Sequence, residues 1–77
     1  MRYFEMTEKI GQAAGIIWHL LAKAANPINI TDIPKRTNLT SQMAYQGLGW
    51  LAREGKLEYT QKGRSIYVSL LSVPSSN

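Results

Sequence analysis

Two groups of side chains are spaced so that they can bind a partner through hydrogen bonds and charge. The first group recurs at intervals of one and two helical turns and comprises Gln42, Gln46 and Arg53. The second group is Lys62 and Arg64, which flank Gly63. Glutamine amides and guanidinium groups can form paired hydrogen bonds with planar partners, and cations attract phosphate. These groups therefore favour the binding of an anionic, hydrogen-bonding partner.

Residue types on which catalysis depends are scarce by comparison. The chain has no cysteine, which excludes a disulfide, a thiolate metal site and a cysteine nucleophile. His19 is the single histidine, and its place on the polar side of a helix indicates a surface residue. Asp32 and Glu54 are better explained as helix-end residues, and no Ser-His-Asp order, carboxylate pair or glycine-rich phosphate loop can be assembled. We therefore expect a protein that is not an enzyme and takes no metal, cofactor or small-molecule ligand.

Length and charge narrow the class further. The chain has 77 residues, enough for one small domain, and hydrophobic residues make up an ordinary 44% of it. Nine Lys and Arg against five Asp and Glu give a net charge of +4, which mildly favours nucleic acid or another acidic partner. No apolar run of about 18 residues and no secretory signal is evident, so a cytoplasmic protein without membrane contact is expected.

A long helix is predicted first. Thr7 is suited to cap it, and Asn26-Pro27 should end it, because proline disfavours helical backbone in the residue before it. Its inner side carries apolar residues at helical spacing, namely Ile10, Ala13, Ala14, Ile17, Leu20, Leu21 and Ala24. A short extended stretch over 28–30 follows. Thr31 is then expected to cap a short helix over 32–37, with Pro34 in its first turn.

A third helix is predicted between an N-cap at Thr40 or Ser41 and a C-terminal glycine cap at Gly55. Its inward stripe consists of Ala44, Gly47, Leu48 and Leu51. Gly47 and Gly49 each cost up to about 1 kcal/mol relative to alanine inside a helix. Their presence suggests that another part of the protein approaches the helix backbone closely.

Two half-buried strands are predicted to follow, because apolar and polar residues alternate. The apolar positions are Leu57, Tyr59, Ile66, Val68 and Leu70, and the segment 61–65 is expected to be the turn. The order of long helix, short strand, short helix, turn, helix and hairpin predicts an α+β winged helix-turn-helix. We expect residues 1–6 to form an N-terminal arm, residues 7–71 the domain and residues 72–77 a flexible tail.

The segment 47–57, GLGWLAREGKL, together with Ile10-Gly11 and the segment 15–18, GIIW, resembles a family of small bacterial winged-helix proteins of uncharacterised function. The resemblance covers about residues 7–71. It implies a winged helix-turn-helix fold and a DNA-binding role, and it supplies neither a ligand nor a catalytic residue.

Binding of duplex DNA as a small transcriptional regulator is therefore the expected function. Side chains of the third helix would read bases, whereas the second helix and the hairpin tip would contact phosphate. The candidate set is Lys35, Arg36, Thr40, Ser41, Gln42, Tyr45, Gln46, Arg53, Lys62, Gly63 and Arg64. Because the outer side of the third helix carries one cation only, a protein-interaction module with the same fold and no DNA is the alternative.

A homodimer is also expected, because two-fold DNA sites match two-fold proteins. Gly11, Gly15 and Trp18 share one flank of the first helix, where small residues would let another helix approach. Packing within the fold is the alternative interpretation of that flank, and Trp50 is either an edge-of-core residue or an interface anchor. The predicted interface consists of Tyr3, Phe4, Gly11, Gly15 and Trp18.

Overall fold

A computed structural model of the protein describes the backbone of residues 3–71 and the side chains of residues 7–71. Its helices are α1 (Tyr3–Lys23), α2 (Ile33–Thr37) and α3 (Ser41–Arg53). Its strands are β1 (Ile28–Asn29), β2 (Leu57–Lys62) and β3 (Ser65–Leu70), and a 3₁₀ turn, Ile30–Asp32, joins β1 to α2. The strands form an antiparallel sheet in the order β1-β3-β2. This arrangement confirms the predicted winged helix-turn-helix, with the β2–β3 hairpin as the wing.

The first helix starts and ends earlier than the sequence predicts. It begins at Tyr3 rather than after Thr7, because no glycine or proline separates residues 3–6 from the rest of the helix. Tyr3 and Phe4 therefore belong to the first turn of α1 and not to a separate arm. The helix ends at Lys23, three residues before Asn26, where the chain turns toward β1. The side chains of residues 3–6 and the predicted tail, 72–77, lie outside the described residues.

One apolar core joins the helices to the sheet. It contains Ala14, Ile17 and Leu21 of α1, Ile33 of α2, Ala44, Leu48 and Leu51 of α3, and Ile28 and Val68 of the sheet. Ile17, Ile33 and Val68 are completely buried. Among the described side chains, no polar or charged one is buried. The fold is therefore held together chiefly by apolar burial, which contributes about 25 cal/mol per Å².

The third helix agrees with the prediction at both ends and on its inner face. Its buried residues are Ala44, Gly47, Leu48 and Leu51. At its start, Thr40 Oγ1 accepts a hydrogen bond of 3.1 Å from the Met43 N–H, which is the geometry of an N-cap. After its end, Gly55 has a φ of +73°, a left-handed conformation that favours glycine. Local signals in the sequence thus predict both the ends and the inner face of this helix.

Helices α1 and α3 approach each other closely at Gly47. A Cβ atom added there would lie 2.9 Å from Ile17 Cδ1, 3.1 Å from Ala14 N and 3.2 Å from Ala13 C. The last two are backbone atoms of α1, which cannot move aside as a flexible side chain can. Close approach was expected at both helix glycines. It holds for Gly47, whereas at Gly49 an added Cβ would meet nothing within 4 Å.

The entry into α2 uses a different cap from the predicted one. Thr31 lies within the 3₁₀ turn rather than at the N-cap of α2. The cap of that turn is Asn29, whose Oδ1 accepts hydrogen bonds from the Thr31 N–H (3.0 Å) and the Thr31 hydroxyl (2.9 Å). Asparagine suits this role because its side chain reaches the backbone two residues ahead. Pro34 occupies the first turn of α2, as predicted.

The wing turns more tightly than predicted. Only Gly63 and Arg64 lie between β2 and β3, instead of the whole segment 61–65. Gly63 has a φ of +61°, and glycine at the first position of a two-residue turn is typical of the type II′ hairpin. The two strands pair along all six residues of each.

The alternating apolar pattern of the wing is buried over only half its length. Val68 is buried, and Leu57 and Leu70 pack against the core as half-buried residues. Tyr59 and Ile66, expected on the same inward side, are 47% and 36% exposed. The strands extend past the helices, so the core covers only the end of the hairpin that is remote from the turn.

We predict opposite effects for the two glycines of α3. Gly47→Ala should lower the free energy of unfolding by about 1–3 kcal/mol, because the added methyl group overpacks the contact with α1. Gly49→Ala should raise it by up to about 1 kcal/mol, since the site is open and alanine favours helix. Urea unfolding followed by circular dichroism measures both. Equal stability of the two variants would contradict the close approach at Gly47.

Candidate nucleic-acid interface

The face of α3 opposite the core is solvent-exposed along its whole length. With Leu48 and Leu51 buried, the helical repeat turns Gln42, Gln46 and Arg53 outward, and all three are exposed. Tyr45 flanks them and is 44% exposed. Gly49 leaves a gap without a side chain in the middle of this face. The structure thus brings the predicted residues of the third helix together on one surface.

The N-terminus of α3 offers hydrogen-bond donors. Thr40 is the N-cap, so its hydroxyl oxygen is occupied by the Met43 N–H, but its proton remains free to be donated. Ser41 begins the helix and is exposed. The first N–H groups of a helix have no partners within it, which makes this end suited to a phosphate oxygen.

The turn between α2 and α3 is held by one threonine. The Thr37 hydroxyl donates to the Ile33 carbonyl (2.7 Å), and its oxygen lies 3.4 Å from the Leu39 N–H. Asn38 adopts a left-handed conformation with a φ of +64°, which asparagine tolerates well. These contacts fix α2 relative to α3. The exposed Lys35 and Arg36 in the last turn of α2 are thereby kept in a set position beside the third helix.

The wing carries the second cationic group at its tip. Lys62 is the last residue of β2 and Arg64 the second residue of the turn, and both are exposed. Gln61 Nε2 donates a 3.3 Å hydrogen bond to the Gly63 carbonyl, which ties the turn to the strand. Neither cation forms an ion pair with any residue that the structure describes. Their charges are therefore available to an anionic partner.

The inner side of the wing adds apolar surface that the sequence reasoning assigned to the core. Tyr59 lies opposite Val68, and Ile66 lies opposite Gln61, on the same side of the hairpin. Desolvation by partial burial raises the pKa of the Tyr59 hydroxyl above 10.0. The missed signal was strand length, since strands of six residues extend beyond the small core that the helices form.

The outer side of the sheet forms two concave areas that the sequence reasoning did not identify. One has a volume of about 360 Å³ and includes Asp32 and Arg36, and the other has about 450 Å³ and includes Thr60 and Lys62. Both are also lined by Asn26, Pro27 and Tyr67. Successive side chains of β3 point to opposite faces of the sheet, so Tyr67 lies on the outer face when Val68 is in the core. The outer position of Tyr67 could therefore have been predicted from the sequence.

The predicted interface residues of α1 lie on an open flank. Gly11 is half-buried and Gly15 exposed, and an added Cβ at either position would meet nothing within 4 Å. Trp18 is 39% exposed and its ring contacts the exposed His19 edge-on, with 5.5 Å between ring centroids. Trp50 of α3 is 38% exposed and lies at the edge of the core. Together with Gly11, Gly15 and Trp18 it lines a groove between α1 and α3. Both tryptophan rings are thus partly covered by the described fold, and the two glycines leave open space beside them.

No group of three or more His, Cys, Asp or Glu side chains in residues 7–71 is placed to hold a metal ion. No helix in the described part of the chain has the length and apolar character needed to cross a membrane.

Comparisons with known proteins agree with this architecture. Residues 5–70 match the family model described as "Winged helix-turn-helix domain (DUF2582)". An uncharacterized protein of Methanocaldococcus jannaschii, MJ1608, is 37% identical over 54 residues, which are 69% of this chain and 77% of that protein. The solution NMR structure of BT2368 from Bacteroides thetaiotaomicron superposes with a TM-score of 0.74 at 26% identity, covering 91% of this chain and 93% of that one. Similar chains therefore occur in an archaeon as well as in a bacterium, which is a wider range than the bacterial resemblance implied.

The raised pKa of Tyr59 predicts a pH dependence. The folded state favours the neutral phenol, so this stabilisation is complete below pH 10.0 and is lost as pH rises through the raised pKa. Tyrosinate absorbance should show a titration phase above pH 10.0 that is absent in Tyr59→Phe. The unfolding free energy of the wild type should also fall more steeply than that of the variant in this range. If Tyr59→Phe instead removes a titration phase centred at or below pH 10.0, the raised pKa of Tyr59 is refuted.

Proposed function

We propose that this chain, which belongs to the winged helix-turn-helix family DUF2582 of uncharacterised function, binds duplex DNA as a small transcriptional regulator. The observation that carries the proposal is the exposed face of α3 with its glutamines, which is preceded in the chain by the exposed cations of α2 and followed by those at the wing tip. Residues 31–77 contain six basic and three acidic residues, so this part of the chain holds +3 of the net charge of +4. Such a distribution suits a phosphate backbone.

In this proposal α3 lies in the major groove, which is wide enough for one helix. Gln42 and Gln46 are the candidates for base contacts, since a glutamine amide can bind adenine through two hydrogen bonds. Arg53 is the only cation on the outer face of α3, and it can bind guanine or phosphate. Tyr45 supplies apolar surface beside them. The open position at Gly49 allows a base pair or the backbone to approach the helix.

The remaining candidates position the protein on the backbone. Lys62 and Arg64 at the tight wing turn can reach a phosphate or the minor groove. Lys35 and Arg36 would contact phosphates on the side of α2, and the hydroxyls of Thr40 and Ser41 would contact one at the start of α3. Contacts of this kind set register and affinity, whereas the α3 side chains set sequence preference.

The proposal includes a two-fold dimer, because one small domain makes few contacts and palindromic sites mirror two-fold proteins. A regulator of this kind would act in the cytoplasm, without catalysis. A second candidate function is a protein-interaction module that does not bind DNA. It is favoured by the single cation on the outer face of α3 and by the exposed aromatic rings of Tyr45 and Tyr59.

Removal of the wing charges tests DNA binding. Lys62→Ala combined with Arg64→Ala should weaken binding to all duplexes alike, because phosphate contacts carry no sequence information. The slope of log affinity against log salt should fall by about 0.9 for each lost contact. Fluorescence anisotropy with labelled duplexes over a salt series measures both. The stability of the domain should change by less than about 0.5 kcal/mol per substitution, since both side chains are exposed.

A matched control separates local contacts from overall charge. Lys9→Ala combined with Lys23→Ala removes the same charge from exposed positions on α1 and should leave the salt slope unchanged. Gln46→Ala should change the preference among sequences with little effect on the slope. If the wing pair and the α1 pair weaken binding equally, or if no duplex is bound at low salt, the DNA proposal fails and the protein-interaction module is favoured.

A further inference from the structure

An open groove runs between α1 and α3 beside the α3 surface proposed for DNA. Its volume is about 230 Å³. Its lining includes Gly11, Gly15 and Trp18 of α1, Trp50 of α3, and Glu54 and Lys56 just after α3. Glu54 and Lys56 are both exposed, so they form the charged rim of an otherwise small and apolar surface.

No described residue closely approaches the two glycines of this groove, Gly11 and Gly15. Inside a helix each costs up to about 1 kcal/mol relative to alanine. At Gly47 that cost is offset because α1 and α3 pack closely there, since an added Cβ would lie only 2.9–3.2 Å from atoms of α1. Gly11 and Gly15 have no neighbour within 4 Å of an added Cβ. The described residues therefore leave space beside both glycines that an approaching group can occupy.

The tryptophans of the groove also indicate a binding surface. Both tryptophans of the chain, Trp18 and Trp50, line this groove and keep 39% and 38% of their surface exposed. Large apolar rings at the surface leave apolar area in contact with water, and tryptophan is enriched at the energetic centres of protein interfaces.

We propose that a second copy of this chain docks in the groove about a two-fold axis. This inference rests on the proposed dimer and is independent of DNA binding. A two-fold interface brings one patch against an identical patch, so the patch must complement itself. The groove meets this requirement in shape, because Trp18 projects one helical turn from the open Gly15, and the ring of one copy fits over the glycines of the other.

The charges of the rim are self-complementary as well. Glu54 and Lys56 lie two residues apart, so a two-fold rotation can bring Glu54 of each copy to Lys56 of the other. A nucleic acid or another acidic partner would instead require a rim of positive charge. The balanced rim therefore selects a second copy of the chain over an acidic macromolecule.

A bulky residue at Gly15 tests the interface. Wild type should sediment at about twice 8.6 kDa at micromolar concentration, and Trp emission should shift with dilution because both rings lie in the groove. Gly15→Leu should weaken self-association by at least about tenfold, as expected for an interface centre. It should not lower the stability of the monomer, since the position is open and leucine favours helix.

Gly49→Leu is the matched control, because Gly49 is equally open but lies on the proposed DNA face. It should leave self-association unchanged and should weaken DNA binding. A wild type that remains monomeric at several hundred micromolar, or a Gly15→Leu variant that still dimerises, overturns the interface. Dimerisation with the Gly15 effect, but without DNA binding by the wild type, supports the interface and overturns only the proposed function.

Charge reversal tests the two-fold geometry itself. Glu54→Lys and Lys56→Glu should each weaken self-association several-fold, because like charges then meet twice across the axis. An equimolar mixture of the two variants should recover wild-type affinity, since both rim lysines of one chain then face both rim glutamates of the other. A mixture that associates no better than the separate variants would refute the proposed pairing.

Discussion

The packing of α1 against α3 at Gly47 is the constraint on which the other features depend. With backbone atoms of α1 3.1–3.2 Å from the position of a Cβ, α3 can adopt only a narrow range of rotations about its axis. This rotation buries Leu48 and Leu51 and turns Gln42 and Gln46 to solvent. It also places Trp50 at the margin of the core, beside α1. The two surfaces for which we propose partners are thus consequences of one helix–helix contact.

The small size of the core explains why much of the wing is exposed to solvent. The three largest of the completely buried side chains, Ile17, Ile33 and Val68, link the helices to the sheet, and no described polar side chain is buried. A core of this size cannot cover six-residue strands, so the outer half of the wing extends into solvent with Tyr59 and Ile66 exposed. Because the strands of the wing are long enough to leave Tyr59 and Ile66 uncovered, they also carry Lys62 and Arg64 away from the helices.

The features that could be predicted from the sequence are those with a local cause. Thr40 and Gly55 mark the ends of α3, and the spacing of Leu48 and Leu51 fixes its inner face, so the exposed candidates on that helix follow. The exposure of Tyr59 could not be predicted, because alternation states which side of a strand a residue is on and not whether another element covers that side. The Asn29 cap was missed because Thr31 is also a good cap, and only the path of the chain into the 3₁₀ turn decides between them. Only the α1 side of the groove between α1 and α3 could be predicted, because its residues recur at helical spacing within one helix. The α3 side depends on how the two helices pack, which the sequence pattern does not give.

The position of β3 between β1 and β2 has a consequence for the order of folding. β1 and β3 pair through residues 28 and 68, forty positions apart, and this pairing is only two residues long. Closing so long a loop costs conformational entropy that two pairs cannot repay, so the ladder can form only after the intervening helices have brought its strands together. The helix-turn-helix segment lies entirely within that loop. The short strand therefore pairs only after the helices have packed, and its pairing brings the buried Ile28 opposite the buried Val68.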